Sequence, residues 1–378
     1  MRVLVVNAGS SSLKLRTLDE RDTVVGAEDL PPFMPDRQSV GDHGGEPARD
    51  AGVPAALVEA LGRLGPADAV GHRVVHGGAM FREAVRVDAG VIAAIEALTD
   101  LAPLHQPGSV AGLRWLAALR PELPQVACFD TAFHATLPDA AATYALPREW
   151  RDRWPLRRYG FHGLSHAFAS RRAAELLGQP VEALRIVTCH LGAGASLAAV
   201  AGGRSVDTTM GFTPLEGLVM ATRSGSVDPG LVLWLQEQGG LDAAAVAAGL
   251  ERDAGLAGLA GTADMREVLE RAAQGSAAAQ LALDVYLHRL RAGIAAMAAA
   301  MGGLDALVFT GGVGEHAPAV RSATVDGLGF FGLRVDPVRN ADGPDREIGA
   351  AGELPAVIVV TSREDVEIAR QVRAALGG

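Results

Sequence analysis

Val5-Val6-Asn7-Ala8-Gly9-Ser10-Ser11-Ser12-Leu13-Lys14-Leu15 has a counterpart half a chain later, Thr188-Cys189-His190-Leu191-Gly192-Ala193-Gly194-Ala195-Ser196-Leu197-Ala198. Each stretch reads as an apolar strand, a turn of glycine and small residues, and a second strand. The repetition predicts a duplicated domain. Two such domains facing each other make a cleft, with one small-residue turn from each side. Small residues let a backbone approach a ligand closely, and successive backbone N–H groups form an anion nest.

Outward from these turns, short β-type runs alternate with longer helical patterns, the signature of an α/β architecture. Residues 3–6, 69–75, 125–129, 185–189, 306–310 and 356–360 read as strands, several apolar on both faces and therefore central. Residues 54–64, 90–101, 107–119, 164–177, 229–238, 265–301 and 364–376 read as helical. Pro107 and Pro229 suit a first helical turn, where no amide donor is needed. The stretch 265–301 is too long for one ordinary helix, and Gly275-Ser276 marks a break within it. Residues 31–52, rich in proline and glycine, read as an exposed loop.

The chain has 378 residues, of which 49% are apolar and 21% charged, the mix of a folded globular protein of two or three domains. Lys plus Arg is 34 against 44 Asp plus Glu, a net charge of −10. No Lys/Arg-rich run exists, which argues against a nucleic-acid partner. Small anions must instead be met by a few aimed cations. The apolar run at residues 3–6 is too short for a signal-peptide core, and the charge-free stretch 292–304 falls short of the ~20 residues that span a bilayer. No membrane partner is expected. Cys128 and Cys189 show no CxxC spacing and read as buried thiols of a reducing, cytoplasmic location.

A third glycine turn, Thr310-Gly311-Gly312-Val313-Gly314-Glu315-His316-Ala317, follows a strand and opens a helix. Gly312-x-Gly314-x-x-Ala317 fits the dinucleotide fingerprint, yet too little chain follows for a full doubly wound domain around it. The same geometry serves any nucleotide whose phosphates approach a helix N-terminus. The Walker-A pattern is missing, which excludes a P-loop kinase, and so is the G-x-S-x-G elbow of the α/β-hydrolases. Each turn taken alone could merely reverse a strand. Three of them, two carrying clustered hydroxyls, point to a nucleotide held between two domains.

Several polar groups need a reason. Arg73, among apolar neighbours and before Gly77-Gly78, requires either an internal ion pair or an anionic substrate. Arg223, in Thr222-Arg223-Ser224-Gly225, is flanked by small residues, and its planar fork fits carboxylate or phosphoryl oxygens. Asp130 ends the strand 125–129, where α/β proteins place ligand groups, although a helix cap is the alternative. His162 lies one helical turn before His166, but without an HExxH glutamate a zinc pair is disfavoured. His162 is better read as a hydrogen-bond donor near a phosphoryl group and His166 as structural. His105 could cap a helix or contact substrate. Lys14 faces opposite to Leu13 and Leu15, two residues past the serine turn, which suits phosphate contact. Glu364, opening the last helix, serves the helix dipole or a divalent ion.

Six ordered blocks now carry a resemblance. They are Asn7 to Lys14, Gly71-His72-Arg73-Val74-Val75-His76-Gly77-Gly78, Phe129-Asp130-Thr131-Ala132-Phe133-His134, Tyr159-Gly160-Phe161-His162-Gly163, Met220-Ala221-Thr222-Arg223-Ser224-Gly225 and Phe309 to Glu315. Together they resemble the acetate kinase family, within the acetate and sugar kinase/Hsp70/actin superfamily, from Val3 to about Arg370. The resemblance implies two duplicated ribonuclease H-like (actin-like ATPase) domains with an interdomain cleft. Residues 1–134 plus 366–378 would form the acyl-substrate side, and residues 135–365 the nucleotide side and dimer interface. It also implies reversible phosphoryl transfer from ATP to acetate, giving ADP and acetyl phosphate, with Mg²⁺ (Mn²⁺ as an alternative), in a homodimer.

Carried over position by position, the resemblance makes Asn7 and Glu364 metal-holding residues and places Lys14 near the nucleotide phosphates. It gives Arg73 the substrate carboxylate, and makes Asp130, His162 and Arg223 catalytic. His190, Leu191, Gly192, Ala193 and Gly194 would line the ATP site with Asp264, Met265, Arg266, Gly312, Val313, Gly314, Glu315 and His316. Val75, Leu104, Phe161 and Pro214 would form the apolar pocket for the acetate methyl. An acid with a pKa of ~4.3 is already ionised at pH 7, so the nucleophile needs no general base, and Asp130 is expected to position metal or substrate. Two departures bear on the phosphoryl donor. Ala193 stands where the family turn has Asn, and His316 where Asn is common, leaving pyrophosphate or another nucleotide as alternatives to ATP. Gln106 also replaces the more usual Asn after His105. The alternatives for the function are a propionate or butyrate kinase on the same fold, which Val75 disfavours, and an actin- or Hsp70-like ATPase without acyl substrate.

Overall fold

The computed structural model describes residues 1–9, 12–32, 53–103, 105–341, 343, 345–349, 352 and 354–377. Ser10, Ser11, Leu104 and most of the expected loop at 31–52 lie outside the described residues. The chain divides into two compact units, Met1–Phe133 with Arg363–Gly378, and His134–Ser362.

In the first unit, β1 (Val3–Ala8), β2 (Leu13–Leu18) and β3 (Val24–Leu30) form an antiparallel meander. Then β4 (Ala69–Val74) and β6 (Gln125–Phe129) add in parallel, and the short β5 (Val85–Arg86) closes the far edge antiparallel. The order is β3-β2-β1-β4-β6-β5. In the second unit, β7 (Arg185–Leu191), β8 (Ala195–Ala201), β9 (Arg204–Thr208), β10 (Ala306–Thr310), β11 (Arg346–Glu347) and β12 (Ala356–Val359) take the order β9-β8-β7-β10-β12-β11. The two sheets correspond strand for strand, parallel and antiparallel pairings included. The duplication expected from the two turn sequences is therefore present as two copies of one topology.

Burial on both faces explains the apolar central strands. In β1, Leu4 and Val6 join Leu13, Leu15, Leu57, Leu61, Val70 and Leu116 in one core layer. On the opposite face the helix Glu364–Ala375 packs on β1 and β4. It comes so close that a Cβ on Gly71 would lie 2.5 Å from Ile368 and 2.7 Å from Val372. In the second unit the helix Gly163–Leu177 packs on β7 and β10, while Ala277–Ala300 packs on β7, β8 and β9. The break within 265–301 falls where expected: Gly275 takes φ +88°, and the Ser276 side chain caps the second helix by accepting from Ala279 N. The stretch 90–101 is instead a helix, Ala89–Glu96, and a 3₁₀ turn, Thr99–Leu101. There the Thr99 hydroxyl donates to the Glu96 carbonyl at 2.6 Å and tightens the exit.

Cys128 and Cys189 are both buried and unpaired, and burial pushes both thiols above their ordinary value. Among the described residues no helix is long and apolar enough to cross a membrane.

Candidate active-site groups in the two units

The strand ends of the first unit gather four of the expected residues into one network. Asp130 follows β6, 1% exposed, and receives a forked pair of bonds from Arg73 on β4, Nη2 to Oδ2 at 2.7 Å and Nε to Oδ1 at 3.1 Å. Arg73 Nη1 donates to Asn7 Oδ1 at 3.2 Å, and Asn7 Nδ2 donates to Glu364 at 3.1 Å. Glu364 also stands 3.8 Å from Arg73 Nε. Burial opposes the charge on Arg73, but Asp130 and then Glu364 outweigh it and hold the guanidinium protonated. Burial raises the Asp130 carboxyl, and Arg73 pulls it back. Of the two readings of Arg73, the internal ion pair is thus present, and it is built from the other expected site residues.

Two carboxylates and an amide oxygen make a hard donor set. It fits a hard divalent cation, which takes oxygen ligands. Among the described residues no three or more His, Cys, Asp or Glu stand together as a metal-holding group. Lys14 is exposed and directly opposite Asn7 in the β1–β2 register, so both side chains leave the same face. Val75 is buried just past β4. His105 precedes the helix Gln106–Leu119 without capping it through its side chain.

The second unit gathers a different set. His162 sits in the left-handed region (φ +56°) at the start of the helix Gly163–Leu177, an uncommon conformation for a side chain of this size. Its Nδ1 is 2.9 Å from Ser196 Oγ, and its ring lies 4.3 Å from that of His190. His190 Nδ1 in turn meets Ser165 Oγ at 2.8 Å. A methyl built on Gly194 would lie 2.9 Å from Arg223 Nη2 and 3.2 Å from His162 Nε2, so the two side chains converge on that glycine. The Arg223 segment is tied to the turn by Ala221 N donating to Ala193 O at 3.1 Å. Arg223 Nη1 donates to Pro214 O at 2.7 Å. Desolvation disfavours its charge, and Glu251 helps only at a distance. Such a cation gains from an anion brought to it.

The third glycine turn is adjacent. Thr310 pairs with His190 across β10 and β7, and Gly311, at φ +78°, lies so near Leu191 that a Cβ would be 2.8 Å from its carbonyl oxygen. The helix Gly311–His316 follows, as the sequence implied. Glu315 turns back into this loop, accepting from Gly311 N and Ser362 N at 2.9 Å each, while His316 is exposed beside it. Asp264 caps the helix Met265–Ala273, and its own bonds from Arg266 hold its carboxyl low, at about 2. Among the described residues Asp264 and Arg266 pair with each other and with no other candidate. Met265 is buried. Phe161 is buried, and its carbonyl meets His134 Nε2 at 3.0 Å.

Three contributors went unrecognised in the sequence. Ser196 and Ser165 hold the two histidines, and their only signal was membership in the hydroxyl-bearing blocks beside them. Arg321 is 1% exposed and donates to the carbonyls of Gly314 and Glu315 at 2.8 Å each, bracing the glycine turn. Nothing in the sequence around it suggested burial.

A match to the acetokinase family covers residues 54–370. An acetate kinase of Deinococcus deserti is 47% identical over 393 residues, covering 100% of this chain and 98% of that protein. Among solved structures, Porphyromonas gingivalis acetate kinase superposes with a TM-score of 0.86 at 36% identity, covering all of both chains. A propionate kinase from Francisella tularensis gives 0.85 at 33% identity, covering 98% of each.

Proposed function

This chain belongs to the acetokinase family, and from that premise we propose that it transfers the γ-phosphoryl group of ATP to acetate, reversibly, giving ADP and acetyl phosphate. Within the structure, the observation that carries the reading is the convergence of Arg223 and His162 on Gly194. Two donors aimed at one point suit charge that spreads over the equatorial oxygens of a transferring phosphoryl group. Propionate as acceptor is the second reading, favoured by the likeness to the Francisella enzyme. One methylene shifts selectivity by only ~1–3 kcal/mol, so use of both acids is expected.

The chemistry needs no proton transfer. A carboxylate oxygen of acetate forms the new bond to the γ-phosphorus, and the bond to the ADP oxygen breaks with its electron pair leaving on ADP. Arg73 binds and orients the carboxylate, with Asp130 keeping its guanidinium in place. His162 and Arg223 donate to the phosphoryl oxygens. Lys14 adds positive charge for the phosphates. By the family likeness, His190 to Gly194, Asp264 to Arg266 and Gly312 to His316 are assigned to the nucleotide, and Val75, Leu104, Phe161 and Pro214 to the methyl group. Asn7 and Glu364, with Asp130, would hold Mg²⁺, Mn²⁺ being the alternative, and the ion would supply positive charge against the phosphates.

The active form in this proposal is a cytoplasmic homodimer. Supporting it, the helix Pro229–Glu237 of the second unit leaves Leu231, Leu233 and Trp234 about half exposed. Incubating the purified protein with ATP, Mg²⁺, acetate and hydroxylamine tests the activity. Acetohydroxamate forming in step with ADP is expected; ADP without hydroxamate would favour an ATPase of another kind.

A further inference from the structure

His162 belongs to a longer chain of polar groups than its catalytic reading requires. Ser196 Oγ, on β8, contacts both His162 Nδ1 at 2.9 Å and His166 Nε2 at 2.8 Å. His166 Nδ1 then contacts Thr188 Oγ1 at 2.7 Å, and Thr188 Oγ1 donates to Ala198 O at 3.5 Å. Ser196, His166 and Thr188 are all fully buried.

The direction of the chain follows from one contact, the Thr188 hydroxyl donating to Ala198 O. Burial, reinforced by His134 and His190, holds His166 well below its ordinary value, so its ring is neutral with one N–H and one bare nitrogen. With the Thr188 proton on Ala198 O, Thr188 Oγ1 accepts from His166 Nδ1–H. His166 Nε2 is then the bare nitrogen and accepts the Ser196 hydroxyl proton. Ser196 Oγ, its proton so committed, accepts from His162 Nδ1–H.

We infer that Ser196, His166 and Thr188 are positioning residues that lock a proton on His162 Nδ1, so that Nε2, the nitrogen beside Gly194 and Arg223, donates to a phosphoryl oxygen only as the doubly protonated ring. The lock also fixes the ring's rotation, because only one flip places Nδ1 on Ser196. The inference rests on the proposed kinase reading for its catalytic meaning, but its structural content does not depend on it.

Thr188→Val is the decisive variant, since it keeps the side chain's shape and lies two side chains away from His162. Nitrogen-15 NMR of histidine-labelled protein, at a pH where His162 is neutral, reads the tautomer directly. The native protein is expected to show a protonated Nδ1 and a bare Nε2 at His162. In Thr188→Val the chain loses its terminal acceptor, and the His162 protons should move to Nε2 or populate both tautomers. Ser196→Ala, the second variant, should likewise abolish the single tautomer and lower kcat ~10- to 100-fold with KM changed less than about threefold. A native His162 protonated on Nε2, or an unchanged tautomer in both variants, overturns the inference. If the NMR result holds while native protein makes no acetyl phosphate, the lock stands and the kinase reading fails.

Discussion

Arg73 grips Asp130 through both carboxylate oxygens, with Nη2 2.7 Å from one and Nε 3.1 Å from the other, at a site where the carboxylate is only 1% exposed. A fork of this kind fixes a guanidinium in direction as well as place. The same pair reaches Asn7 and Glu364, so the first unit's proposed substrate cation and metal donors are one hydrogen-bonded body.

Removing one partner should therefore cost both stability and activity. Arg73→Ala leaves Asp130 buried without its partner and is expected to lose about 3–5 kcal/mol in urea unfolding. Arg73→Lys restores charge without the fork, so it should recover stability more than kcat/KM. Asp130→Asn should weaken metal or substrate affinity; unchanged affinity for both would remove Asp130 from its positioning role.

Acid should destabilise the fold through its buried histidines. Burial lowers His72, held by Gln125, to about 4, and His134 to about 4, against about 6.5 in the unfolded chain. Between those values the unfolded state binds more protons, so stability rises with pH. The contribution is complete above about pH 6.5 and is lost as pH falls toward 4. At pH 5 the expected loss is about 2 kcal/mol for each of the two, read as a falling urea midpoint. His72→Asn should flatten that slope.

Gly194 is small because Arg223 and His162 occupy the space a side chain would take. Gly194→Ala places a methyl 2.9 Å from Arg223 Nη2, and the guanidinium must swing away. The expected result is a fall in kcat of ~100-fold or more with unfolding nearly unchanged, because the displaced group is a side-chain end. Full activity in this variant would detach the convergence from catalysis.

The exposed apolar helix Pro229–Glu237 offers a test of assembly. Leu233→Glu with Trp234→Glu should convert a dimer to a monomer in sedimentation velocity without loss of helical circular dichroism. A dimer that survives both changes would place its interface elsewhere.

Much of this was legible in the sequence because local chemistry dictated it. The turns around Gly9 and Gly192 show the duplication, and the matched strand orders bear it out. Asp130 stands just past a strand and Glu364 opens a helix, as their places in the sequence imply. What escaped was set by long-range register. Ser196 became a partner of His162 and His166 only once β8 paired with β7 beside the helix Gly163–Leu177. Arg321 reads as an ordinary surface arginine until the helix Pro318–Asp326 folds it under the glycine turn. Residues 90–101 read as one helix because nothing in their apolar pattern reports the Thr99 hydroxyl's bond to Glu96.

In the proposed reaction a carboxylate oxygen of acetate itself forms the bond to the γ-phosphorus. Turnover of acetate labelled with ¹⁸O in both oxygens, followed by ³¹P NMR, tests it most directly. The expected product is acetyl phosphate carrying both labels, one in the bridge to phosphorus and seen as an isotope-shifted resonance. Inorganic phosphate and ADP alone, or acetyl phosphate whose bridge is unlabelled, would contradict it.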